Sequence, residues 1–122
     1  MTKEEFEELV IDALAQLPSQ FQKKLENVDL VIEDWPPQEV LNSLKIAKGA
    51  TLFGLYRGIP KTKRGAGYSG VLPDKITIFR GPIEEICQTS DQIRSQVKKT
   101  VIHEIAHHFG ISEGRLKELQ KD

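Results

Sequence analysis

The chain of 122 residues can bury one hydrophobic core but is too short for a second, so a single domain over residues 1–122 is expected. Its 17 basic and 18 acidic side chains give a net charge of −1, which favours neither nucleic acid nor membrane as a general partner. The single cysteine, Cys87, is typical of a reducing compartment. An acidic start and the lack of a long apolar run predict a cytoplasmic protein without a secretory signal.

Helix and strand patterns alternate in the first two thirds of the chain. Apolar residues recur at three- and four-residue steps from Phe6 to Leu17, after a capping box of Thr2 and Glu5. This pattern predicts an amphipathic helix that Pro18 ends. The further predicted elements are a helix over Gln20–Glu26, a strand over Leu30–Glu33 ended by Trp35-Pro36-Pro37, a helix over Gln38–Ala47, and strands over Thr51–Tyr56 and Ile76–Phe79.

A loop between the last two strands, residues 57–73, has an unusual composition. It holds four glycines and no acidic residue, and its cations are Arg57, Lys61, Lys63 and Arg64. Loops of this length are usually functional or disordered. Two interpretations stay open: a mobile hairpin tip, or a flap that carries Tyr68 over a functional site.

A long helix is predicted toward the C-terminal end of the sequence. Thr89 and Gln92 supply a second capping box, apolar residues continue to Phe109, and Gly110 is typical of a helix stop. Ser112 is placed to cap a last short helix. The predicted long helix contains residues 103–107, which read HEIAH.

Two histidines of this stretch share one side of the predicted helix. Because each residue turns an α-helix by about 100°, His103 and His107 lie only about 40° apart. They face away from the main apolar stripe, which comprises Val97, Val101, Ile102, Ile105 and Phe109. His108 points about 100° away from His107, toward the shoulder of that stripe, so a packing or supporting role is expected for it.

Two imidazoles one turn apart can bind one Zn²⁺ ion from the same side. A catalytic zinc commonly takes three protein ligands and keeps its fourth position for water. Glu113 is the best candidate for the third ligand, because it follows His107 by six residues and Gly110 can turn the chain back between them. Interaction with the dipole of the last helix is the alternative role of Glu113, and Glu118 and Asp91 are weaker ligand candidates.

Glu104 lies between the two histidines and is expected to be a general base and not a ligand. A zinc ion lowers the pKa of its water toward neutrality and polarises a carbonyl group. Glu104 would then take the water proton and pass it to the leaving amine. The residues thus predict a zinc-dependent hydrolase.

The segment His103–Ser112, HEIAHHFGIS, resembles the active-site helix of the small bacterial zincin-like metallopeptidases, the minimal zincins. Segments 25–28, 33–37, 52–58 and 72–79 resemble that family too, so the likeness covers nearly the whole chain. It implies an α+β fold with a small mixed β-sheet beside the HExxH helix. It also implies zinc ligands at His103 and His107, catalysis at Glu104, and an acidic third position, where many relatives carry aspartate and this chain has Glu113.

Three functions compete. A cytosolic metallopeptidase would bind an extended peptide or protein along an exposed strand such as Thr51–Tyr56. A metal-dependent endoribonuclease is the second, because small rRNA-maturation nucleases share this histidine spacing and the cations of loop 57–73 suit a phosphate backbone. Those nucleases carry glycine and histidine where this chain has Glu104 and Glu113, which favours the peptidase and argues against nucleic acid. A non-catalytic zinc-binding module, with four protein ligands and no open position, is the third.

Overall fold

The computed structural model describes residues 1–45, 52–58 and 74–119, and of Glu113 and Leu119 it describes the backbone only. Within these ranges the elements are α1 (Lys3–Ala15), α2 (Ser19–Lys24), β1 (Val28–Glu33), α3 (Gln38–Ser43), β2 (Gly54–Arg57), β3 (Asp74–Phe79), α4 (Arg80–Ile86), α5 (Ser90–Phe109) and α6 (Glu113–Leu119). This combination of helices and strands confirms the predicted α+β class. None of the described helices is long and apolar enough to cross a membrane.

The three strands form a mixed sheet in the order β1-β3-β2. Strand β3 pairs with β1 in parallel, from Val28 opposite Asp74 to Glu33 opposite Phe79. It pairs with β2 in the antiparallel direction. Four successive residues of β3 are buried, as expected for a central strand that is covered on both faces: Ile76, Thr77, Ile78 and Phe79. Among the described strands, β2 lies at one edge of the sheet.

Helix α1 begins at the predicted capping box. The side chain of Thr2 accepts a hydrogen bond from the Glu5 backbone N–H, and the Glu5 carboxylate accepts one from the Thr2 backbone N–H, each 3.1 Å long. Hydrogen bonding from the Thr2 backbone N–H, and then from the Thr2 side chain, lowers the pKa of the Glu5 carboxyl below its ordinary value. The apolar face of α1 is buried in the core and packs against α5 through Phe6, Leu9, Val10 and Ala13.

Helix α5 matches the predicted long helix, with two corrections. Thr89 accepts from the Gln92 N–H at 3.1 Å, but the Gln92 side chain accepts from Gln88 at 2.6 Å, so the second capping box is only half formed. Gly110 ends the helix in the left-handed region at φ 66°, where glycine has no Cβ to clash. Phe109, the last residue of the predicted apolar stripe, is 45% exposed, so the stripe is not buried over its whole length.

The predicted helix Gln38–Ala47 is too long. The observed helix α3 ends at Ser43, and Lys45 takes a positive φ of 57°, which a right-handed helix cannot continue. Local spacing of apolar residues therefore overestimated the length of this helix.

Helix α4 was not predicted from the sequence. Pro82 sits in the first turn, where backbone N–H groups have no partner inside the helix, so the missing proline donor costs little. Arg80 anchors this turn through ion pairs to Asp34 at 3.4 Å and to Glu84 at 3.2 Å. The contact with Asp34 is tertiary, and no local pattern indicates it.

Candidate active site

Helix α5 and strand β2 run side by side, in contact along one stripe of the helix. Thr100, Glu104 and His108 are four residues apart and so share one helix face. Thr100 lies against Gly54, where an added Cβ would come within 2.7 Å of the Thr100 methyl carbon. The Glu104 carboxylate accepts a 3.1 Å hydrogen bond from the Tyr56 backbone N–H. His108 stacks on the Tyr56 ring with 4.1 Å between ring centroids.

In two antiparallel strands, residues that bond to the partner strand alternate with residues that do not, and this explains why the Tyr56 N–H reaches α5. The Phe53 carbonyl accepts a 2.9 Å hydrogen bond from the Phe79 N–H, so Phe53 and Leu55 face β3. Gly54 and Tyr56 then direct their backbone groups away from β3, toward the edge that faces α5. Glu104 binds one group of this edge, which places its carboxylate between the helix and β2.

The space between α5 and β2 is a cleft. It contains a cavity of about 350 Å³ lined by Leu52, Phe53, Gly54, Gln96, Lys99, Thr100, His103 and Glu104. Both residues of the HExxH motif that line it, His103 and Glu104, thus face the same space. A substrate in this cleft would contact the predicted base and the first predicted metal ligand together.

His103 and His107 meet the geometric demand of a shared zinc ion. Both side chains are exposed, and their ring centroids are 5.4 Å apart with 30° between the ring planes. Two imidazoles bound to one tetrahedral zinc have ring centres about 5.2 Å apart, given Zn–N bonds of about 2.0–2.1 Å. The separation of the two rings therefore matches the one that a shared zinc ion requires.

The third predicted ligand, Glu113, has a side chain outside the described residues, so its ligand role stays a prediction. Among the side chains that are described, no group of three or more His, Cys, Asp or Glu is placed to hold a metal. Asp91 is excluded as a ligand to the same ion as His103, because it lies twelve residues before His103 on the same helix, about 18 Å along the axis. Glu118 forms an exposed 3.0 Å ion pair with Arg115. Tyr68 and the cations of loop 57–73, except Arg57, also lie outside the described residues.

His108 packs on β2 and lies on a different side of the helix from His103 and His107, in line with its predicted packing role. Its Nε2 atom is 4.0 Å from the Asp74 carboxylate, to which the Tyr56 hydroxyl donates a 2.8 Å hydrogen bond. Sequence reasoning missed Tyr56 and Asp74. One pattern in the sequence could have indicated them. Helix residues four apart and strand residues two apart are both spaced by about 6 Å, so such residues can meet in pairs when a helix lies beside a strand.

Gly54→Ala is expected to destabilise the protein by about 1–3 kcal/mol, because the new methyl group overpacks the contact between β2 and α5. It would meet the Thr100 methyl carbon at 2.7 Å and the Thr77 carbonyl oxygen at 3.0 Å. Urea denaturation measures the change in the free energy of unfolding. Thr100→Ser in the same chain removes one of the two clashes and should recover part of the loss.

Gly114→Ala is the matched control, because a Cβ at Gly114 in α6 meets no atom within 4 Å. This control is expected to be neutral or slightly stabilising, as alanine is the better helix former. Equal stability of Gly54→Ala and wild type would contradict the close contact between β2 and α5.

An edge strand beside a helix that presents a histidine pair and a carboxylate defines a zincin-type site. The sequence profile of the zincin-like metallopeptidases matches residues 25–122. The chain therefore belongs to the zincin-like metallopeptidase family.

A solved structure supports the same fold. It is described as a conserved hypothetical protein from Thermus thermophilus, is 25% identical in sequence, and superposes with a TM-score of 0.56. The match covers 93% of this chain and 99% of the Thermus chain. No curated protein is significantly similar to this chain.

Proposed function

We propose that this protein is a zinc-dependent metallopeptidase that uses Glu104 as the general base. Family membership supports the general class of zinc peptidase. The observation that carries the finer proposal is the position of Glu104, which lines one cavity with His103 and accepts a hydrogen bond from the edge of β2. A base, a metal ligand and a strand edge thus border one cleft.

The proposed zinc ligands are His103, His107 and Glu113. Zinc in such a site supplies a water of lowered pKa and polarises the carbonyl group of the substrate. Glu104 takes the water proton and delivers it to the leaving amine. Its Oε1 atom is held by the Tyr56 N–H, whereas its Oε2 atom makes no hydrogen bond with the described part of the chain. One oxygen therefore orients the carboxylate, and the other is available for the proton.

No described strand pairs with the outer edge of β2, and this supports a peptide or protein as the substrate. Gly54 directs its backbone groups toward the cleft and carries no side chain that would block a neighbouring strand. An extended peptide can add to such an edge through main-chain hydrogen bonds, which give affinity without strict sequence demands. The lone Cys87 is in keeping with action in the reducing cytosol.

The test compares zinc-loaded and zinc-free protein on a mixed peptide library, with cleavage read by mass spectrometry. Cleavage that needs zinc supports the peptidase. Zinc-loaded protein that leaves every peptide intact but cuts RNA would replace it with the endoribonuclease. Zinc bound by four protein ligands, without hydrolysis of either polymer, would replace it with a non-catalytic zinc-binding module.

A further inference from the structure

Lys99 extends the line of the two histidines along α5. It precedes His103 by four residues, as His103 precedes His107, so the three side chains lie on one side of the helix. Successive members of this line are about 6 Å apart along the helix axis. Lys99 therefore lies one helical turn from the proposed zinc site.

The cavity beside the catalytic carboxylate is bordered by Lys99 as well. This space of about 350 Å³ is open between the N-terminal half of α5 and residues 52–54. Its volume admits a substrate side chain next to the bond that His103 and Glu104 would act on. A group bound there would have the Lys99 ammonium within reach.

Lys99 lacks the kind of partner that nearby cations have. The Lys98 ammonium donates a 3.1 Å hydrogen bond to the side chain of Gln16, and Arg94 pairs with Asp91 at 3.2 Å. Lys99 is exposed and makes neither a hydrogen bond nor an ion pair within the described residues. The cleft thus holds a cation that forms no ion pair with a described acid.

We propose that Lys99 binds a carboxylate of the substrate and so gives this protein a preference for acidic peptides. The inference rests on the proposed peptidase function, because His103 and Glu104 mark the position of the cleaved bond. The carboxylate is either an acidic side chain beside that bond or the C-terminus of a short peptide. At low salt the preference for glutamate over glutamine is expected to reach at most about fivefold, the upper end for one exposed ion pair.

The experiment uses two sets of matched peptides on the full chain. One set carries glutamate or glutamine at each position in turn, and the other has a free or an amidated C-terminus. Cleavage rates are measured for wild type, Lys99→Ala and Lys99→Glu at low and high salt. Binding of the same peptides to zinc-loaded Glu104→Gln, with and without Lys99→Glu, is measured by fluorescence anisotropy.

Lys98→Glu is the matched control. It makes the same charge change on the adjacent residue. Lys98 lines a different groove, which contains Gln16 and which Lys99 also borders. Lys99→Glu is expected to abolish or invert the preference, whereas Lys98→Glu should keep it. The preference should also shrink from low to high salt, because salt screens exposed charges.

The two proposals fail in different ways. Equal cleavage rates within both peptide sets, glutamate against glutamine and free against amidated C-terminus, would overturn the role of Lys99 and leave the peptidase standing. Equal loss of preference in Lys98→Glu would do the same. Binding of acidic peptides that depends on Lys99, without any cleavage by zinc-loaded wild type, would support the carboxylate site and overturn the peptidase. Preference of the free over the amidated C-terminus would identify the terminal carboxylate as the ligand.

Discussion

Glu104→Gln is expected to lower kcat/KM for peptide hydrolysis by about 10²- to 10⁴-fold, the usual contribution of a general acid–base group. Glutamine has nearly the same shape, and its side-chain oxygen can still accept the hydrogen bond from the Tyr56 N–H. It cannot take a proton from water. The fold and the zinc content should therefore stay at the wild-type level while turnover is lost.

Three measurements on the same preparation test this prediction: peptide cleavage rate, zinc content and the midpoint of thermal unfolding. Glu85→Gln is the control, because Glu85 is an exposed carboxylate on α4 and borders a different groove. It should cleave peptides like wild type. Wild-type turnover by zinc-loaded Glu104→Gln would exclude Glu104 as the base, and loss of zinc would indicate a ligand role instead.

The adjacent histidines 107 and 108 are expected to respond in opposite ways to substitution by alanine. His107→Ala should weaken zinc binding by more than about 100-fold, since even residues that only support a ligand contribute about 10- to 100-fold. His108→Ala should keep zinc. It loses the ring stack on Tyr56, so we expect a lower stability by about 1 kcal/mol.

Zinc content after dialysis against a weak chelator, measured beside urea denaturation, separates the two effects. Zinc retained in His107→Ala, or lost in His108→Ala, would show that the wrong histidine of the pair has been assigned to the metal. Glu113→Ala extends the series to the third position. Weakened zinc binding in that variant would support Glu113 as a ligand, and unchanged binding would leave it the role of a helix-dipole partner.

The local elements of this fold could be predicted because their causes are local. The Thr2 and Glu5 side chains close their box within one turn of helix, and Gly110 ends α5 through its own backbone freedom. The separation of His103 and His107 by one turn follows from helix geometry alone. The family likeness of residues 103–112 rests on the same contiguous stretch of chain.

The predictions from sequence failed where contacts between residues far apart in sequence compete with local conformational preference. Helix α4 was not predicted, and its first residue, Arg80, pairs with Asp34, which lies far away in sequence. Helical spacing placed Phe109 on the apolar stripe, but the residue is largely exposed, because only neighbouring elements decide how far a helix end is buried. Periodicity shows which face of a helix is apolar, but it does not show at which residue the burial of that face by other elements ends.

The sequence by itself determined the chemistry: a helix with two histidines one turn apart, a carboxylate between them and the family to which these residues belong. Only the tertiary structure decided what surrounds that chemistry. It brought the N–H of Tyr56 to Glu104, the aromatic ring of Tyr56 to His108, and Lys99 to the border of the cleft. The physical reason is that helix periodicity acts within one segment, whereas the approach of β2 to α5 depends on strand pairing and packing between residues about 50 positions apart.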